Sequence, residues 1–155
     1  MNLSSTYLVR WLPLLAAAGL ATSPAAAALG GAATTLQDDA VKLQAVQHVT
    51  SSRAGYAVHE LTLNSGTVVR EFLAPSGAVF AVTWRGPFKP DLSQLLGDYF
   101  PRVVAAGRQR HADHRMLAVH APDLVIESGG RMRAFAGRAY LPELVPATVS
   151  LGAIR

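Results

Sequence analysis

YAVHELTLNSGTVVREFLAPSGAVFAVTWR, residues 56–85, decides the fold. Three runs rich in Val, Thr, Tyr, Phe and Trp are separated by two turns of one design, Asn64-Ser65-Gly66 and Pro75-Ser76-Gly77. In each, a turn former leads, Ser follows, and Gly closes where a positive φ is needed. Loops of this kind join antiparallel strands. Upstream, residues 45–50 supply a fourth run, connected through Ser52-Arg53-Ala54-Gly55 and spaced about eleven residues from the next. The stretch predicts a four-stranded antiparallel meander.

The loops also set a register. If Leu63 opposes Thr67, Glu60 falls opposite Arg70 and His59 opposite Glu71. If Ala74 opposes Ala78, Phe72 falls opposite Phe80 and Val68 opposite Trp84. One face then carries Tyr56, Val58, Val68, Phe72, Phe80, Val82 and Trp84, with Arg70 among them. The other carries Leu61, Leu63, Val69, Leu73 and Val79. A sheet apolar on both sides must be covered on both sides or curl on itself.

Beyond the meander, Pro87 and Pro90 stop the strands, and Asp91 followed by Gln94 has the pattern of a helix N-cap. Leu92, Leu95, Leu96, Tyr99 and Val103 recur at helical spacing, and Pro101 predicts a kink or restart near Phe100. Residues 107–115 (GRQRHADHR) read as a polar loop and 116–120 as a strand. Residues 123–128 and 131–140 flank Gly129-Gly130 as a hairpin, and Pro142 and Pro146 break up the tail. Near the start, Thr35 and Asp38 resemble a capping box for a short helix whose face is Leu36, Ala40 and Leu43. The fold class is α+β: an antiparallel four-strand meander, one amphipathic helix, then a further β-hairpin extending or closing the sheet.

Residues 1–28 read as a secretory signal: a short start whose only charge is Arg10, an apolar run at 11–21, and Ala25-Ala26-Ala27-Ala28 for cleavage near Ala28. The remainder divides into a flexible N-terminus at 29–35 and a single α+β domain at 36–155. The apolar run is about eleven residues and is broken by Pro13, against roughly 20 for a span, so no stable transmembrane anchor is expected. The chain has no cysteine, which excludes disulfides and a lipid-bearing Cys. A periplasmic or secreted location follows from the signal and excludes nucleic acid as a partner. The net charge of +4 suits anionic lipid headgroups, polysaccharide or acidic proteins instead.

Three stretches together carry a resemblance. Residues 63–87 (LNSGTVVREFLAPSGAVFAVTWRGP), 90–100 (PDLSQLLGDYF) and 128–142 (SGGRMRAFAGRAYLP) resemble the exported bacterial family named domain of unknown function 2844. The similarity spans about residues 32–155. It implies a signal peptide and a small proteobacterial envelope protein, and brings no reaction, cofactor or catalytic residue.

Three groups of side chains are candidates for chemistry. His111, Asp113 and His114 offer imidazole and carboxylate ligands to zinc or copper, but Arg108, Arg110 and Arg115 beside them repel a cation, so no metal or other cofactor is expected. His59, Glu60 and Glu71, with Arg70, are brought close by the register, as acid–base catalysis requires, although opposite charges on adjacent strands are also ordinary sheet stabilisers. Arg131, Arg133 and Arg138 recur in the final hairpin. Arg131 and Arg133 share a face by strand alternation, and paired guanidinium groups suit carboxylate or phosphate. The serines of the two Ser-Gly turns lack the context of a nucleophile, and Gly129-Gly130 is too short for a phosphate loop. The leading reading is a non-enzymatic envelope protein that binds an anionic or macromolecular partner through Arg131, Arg133 and Arg138. The alternatives are a small periplasmic hydrolase using His59 with Glu60 or Glu71, and a structural subunit that pairs through a sheet edge.

Overall fold

The computed structural model describes residues 29–109 and 116–155. Within them, seven antiparallel strands form one sheet in the order β1-β2-β3-β4-β7-β6-β5. The meander is β1 (Ala45–Arg53), β2 (Tyr56–Leu63), β3 (Val68–Leu73) and β4 (Val79–Gly86). The chain then leaves the sheet for α2 (Leu92–Leu96), a 3-10 turn and α3 (Phe100–Gln109). It returns as β5 (Met116–Ala121), β6 (Leu124–Arg131) and β7 (Ala134–Tyr140). The final hairpin extends the sheet, with β7 docked against β4. A short helix, α1 (Leu36–Lys42), precedes β1.

Both Ser-Gly turns are three-residue loops. Leu63 N–H donates to the Thr67 carbonyl at 2.9 Å and Ala74 N–H to the Ala78 carbonyl at 2.9 Å, while Gly66 and Gly77 take φ of 80° and 83°. Glu60 therefore pairs with Arg70 and His59 with Glu71, in the expected register. The β3–β4 register differs from the expected one. Leu73 pairs with Val79, but Phe72 then meets Ala81 and Val69 meets Trp84, because Phe80 is an extra residue in a β-bulge. Phe80 and Ala81 both enter the core on the aromatic face, and Val82 and Trp84 move to the opposite one.

Each face has its own core. Leu61, Val69, Val79, Val82, Trp84 and Ile126 pack under Leu36, Leu43, Leu95, Leu96 and Val103 of the helical segments. On the other side Val58, Phe72, Phe80, Val125 and Tyr140 lie beneath Val149 and Ile154 of a C-terminal strap. Asp91 caps α2, its Oδ1 accepting from Ser93 N–H at 2.8 Å and Gln94 N–H at 3.2 Å. A 3-10 turn at Gly97–Tyr99 interrupts the helix, and α3 restarts at Phe100 with Pro101 in its first turn, where a missing N–H costs nothing.

Gly129-Gly130 is not the turn of the last hairpin. β6 runs through both glycines, and the reversal is at Met132-Arg133, with Arg131 paired to Ala134 and Arg133 at φ 64°. Gly130 is needed for close approach: a Cβ there would lie 2.5 Å from the Ala134 carbonyl oxygen and 2.7 Å from Phe135 Cα. Arg133 therefore sits in the turn and does not share a strand face with Arg131.

Candidate functional site

On the strap side, one row of paired residues crosses five strands as a charge ladder: Glu60, Arg70, Thr83, Arg138 and Glu127. Arg70 Nε donates to Glu60 Oε2 at 2.7 Å, and Arg138 Nε to Glu127 Oε2 at 2.8 Å. Each guanidinium also reaches the strap. Arg70 Nη1 donates to the Arg155 carbonyl at 3.0 Å and Arg138 Nη1 to that of Leu151 at 3.3 Å. His120 Nε2 lies 3.0 Å from Glu127, and hydrogen bonds from Arg138 and then His120 hold the Glu127 carboxyl below its ordinary range. Replacing Glu60 with Ala leaves Arg70 with the strap alone. The pair is about 40 % exposed, so the expected loss is about 0.5–1 kcal/mol in urea unfolding at pH 7. An unchanged midpoint contradicts a stabilising role for the pair.

The next row holds Val68, Arg85, Ala136, Gly129 and Met116. Ala136 and Gly129 in this row are small, so beside the tall ladder the sheet surface drops into an open trough of about 740 Å³. Arg70, Arg138 and Arg155 wall one side. Arg85 stands exposed in the row, and Arg131 lies two residues beyond Gly129 on the same face. No ion pair engages Arg85 or Arg131 among the described residues. The trough thus combines a low apolar floor with the uncompensated Arg85, and Arg131 adds a second free guanidinium in the adjoining hollow of the β6–β7 turn, a chemistry that accepts carboxylate or phosphate.

The sequence-derived candidates separate in space. Arg138 is committed to Glu127 and walls the trough, Arg131 lies in the adjoining hollow with Met132 and Phe135, and Arg133 is at the hairpin tip. Glu60 and Arg70 are on the strap side, whereas His59 and Glu71 alternate onto the helix side. His59 Nδ1 is 2.9 Å from His48 Nε2 and 3.3 Å from Thr50 Oγ1, and burial followed by the neighbouring His48 lowers its pKa. The arrangement does not bring His59, Glu60 and Glu71 to one point. His111, Asp113 and His114 lie outside the described residues; among those described, no three His, Asp or Glu side chains form a metal-holding group.

Glu71 has a different partner from the expected one. Its side chain is 0 % exposed and faces the buried Asp39 of α1. No N–H or hydroxyl donor reaches either Glu71 oxygen. Burial, then the charge of Asp39, then a hydrogen bond to Asp39 raise the Glu71 pKa to about 8. Glu71 is therefore a neutral acid donating to Asp39, whose Oδ1 also accepts from Gln94 Nε2 at 2.9 Å. Sequence reasoning missed Asp39 because acidic residues in a first helical turn are ordinarily solvated. It missed Arg85 because that residue gains meaning only once the β4–β7 register is known.

No helix among the described residues is long and apolar enough to cross a membrane. The chain matches no curated protein and no solved structure. Its sequence does match one family over nearly its whole length, and the fold described above is that of a member: through residues 25–154 the chain belongs to the family described as Protein of unknown function (DUF2844).

Proposed function

We propose that the protein is a non-enzymatic binding module of the cell envelope that takes an anionic partner on the open end of the trough. The observation that carries this reading is the pair of exposed, uncompensated guanidinium groups, Arg85 beside the small Gly129 and Ala136 in the trough and Arg131 in the adjoining hollow of the β6–β7 turn. An unpaired Arg in this setting offers a fork of N–H donors to a carboxylate or phosphate without first breaking an internal ion pair. Arg138 contributes as a wall and Arg133 from the tip. The signal-like residues 1–28 support export as the route to the partner.

Retention on phosphocellulose over a sodium chloride gradient tests the reading. The double variant Arg85→Ser/Arg131→Ser should elute at clearly lower salt than an Arg53→Ser/Arg108→Ser double variant, which removes the same charge from exposed positions elsewhere. Co-elution of the two would show that only net charge matters and would overturn the site.

A further inference from the structure

One end of the sheet collects several chain reversals. Ala45 pairs with Leu63, Val68 with Arg85, Gly86 with Phe135, and Met116 with Gly129. The α1–β1 junction, the β2–β3 turn, the loop after β4, the start of β5 and the β6–β7 turn therefore share that end. Asn64 ties two of them, donating through Nδ2 to Gln44 Oε1 at 2.8 Å, and Thr67 Oγ1 donates to the Phe88 carbonyl at 2.8 Å.

The side chains presented there are unusual for a free surface. Val41, Val46, Phe88, Met116 and Met132 are all exposed, Phe88 by 56 % and Met132 by 90 %. Lys42, Arg85, Lys89, Arg131 and Arg133 are exposed beside them. Residues 41–46, 64–67, 85–90 and 129–134 contain no Asp or Glu. Phe88 and Met132 stand on loops, Val41 lies in α1, and Val46 and Met116 lie at the starts of the two edge strands, with the cations among them. A bilayer needs no groove: apolar tips enter the acyl boundary while the flanking cations meet the headgroups.

We propose that this end of the sheet docks on an anionic phospholipid surface, with Met132 and Phe88 inserted and Lys42, Arg85, Lys89, Arg131 and Arg133 on lipid phosphates. The inference rests on the anion-binding reading above and names the anion-bearing partner as a membrane.

The absence of cysteine allows a single thiol to report on one position. A polarity-sensitive dye on Met132→Cys in the full chain should shift to an apolar signal with phosphatidylglycerol vesicles and stay unchanged with phosphatidylcholine vesicles. The same dye on Ser76→Cys, in the exposed turn at the opposite end, should not respond to either. Phe88→Ser/Met132→Ser should weaken vesicle binding at least about tenfold, from the two apolar side chains lost. Arg131→Ser/Arg133→Ser should weaken it about 30-fold, at about 1 kcal/mol per cation near the surface. A silent Met132 dye, equal shifts at both positions, a shift with neutral vesicles, or undiminished binding by either double variant overturns the proposal. If phosphocellulose retention still depends on Arg85 and Arg131 in that event, only the membrane inference falls. Loss of that dependence removes the underlying reading as well.

Discussion

Replacing Glu71 with Gln should remove most of a decline in stability that the wild-type protein shows between about pH 4.5 and about pH 8. Glu71 has a folded-state pKa of about 8 against an ordinary 4.5. Across that interval the unfolded chain releases the Glu71 proton while the fold retains it. The unfolded state then binds fewer protons, so stability falls as pH rises, on the order of 1 kcal/mol per pH unit. Below the lower value the contribution is fully present. Glutamine cannot ionise, and its amide still donates to Asp39, so the variant should give a flatter profile and greater stability at pH 8. Urea unfolding from pH 5 to pH 9 measures both curves. Parallel curves for the two proteins would mean that Glu71 is not the neutral partner of the pair. Alanine is the poorer test, since it also empties core volume beneath α1.

The second large effect is expected at Gly137. A Cβ at this position would lie 2.2 Å from Trp84 Cζ2 and 2.8 Å from the Glu127 carbonyl oxygen. Gly137 sits directly opposite Trp84 in the central β4–β7 pair, and the indole occupies the space that a side chain would need. Even alanine must push Trp84, which is almost fully buried, out of its place in the helix-side core. Gly137→Ala should cost about 3 kcal/mol in unfolding free energy, with a red shift of Trp84 emission in the folded state. Wild-type stability with unchanged emission would mean that the ring has room to move.

The meander was readable because two three-residue loops fix pairing locally, and the β2–β3 register follows from Asn64-Ser65-Gly66 alone. The Phe80 bulge was not readable. Val79, Phe80, Ala81 and Val82 are apolar, so no change of polarity marks where one extra residue enters and reverses the facing of Trp84. Gly129-Gly130 misled for a related reason. Glycine signals either a positive φ or a close backbone approach, and only the structure shows that Gly130, at φ 154°, meets both within β6 while Arg133 takes the turn. Within the candidate site, Arg131 and Arg138 were visible as cations on a hairpin. Their division into a free and a committed guanidinium depends on Glu127, across the strand pair. The convergence of Val46, Phe88 and Met132 on one end requires pairings between segments far apart in sequence, which no local pattern contains.

The β4–β7 junction has a consequence for how the chain acquires its shape. Strands β1 to β4 join through short reversals, as do β5 to β7, so each half assembles from near neighbours. Val82 meets Ala139 only after the whole helical excursion has been folded back. Loop closure makes that encounter the slow event. Until it occurs, each half presents an open ladder of apolar strand, Val79–Gly86 on one and Ala134–Tyr140 on the other, to any matching chain nearby. Crowded copies at this stage face a choice between joining themselves and joining each other, and dilution favours the first.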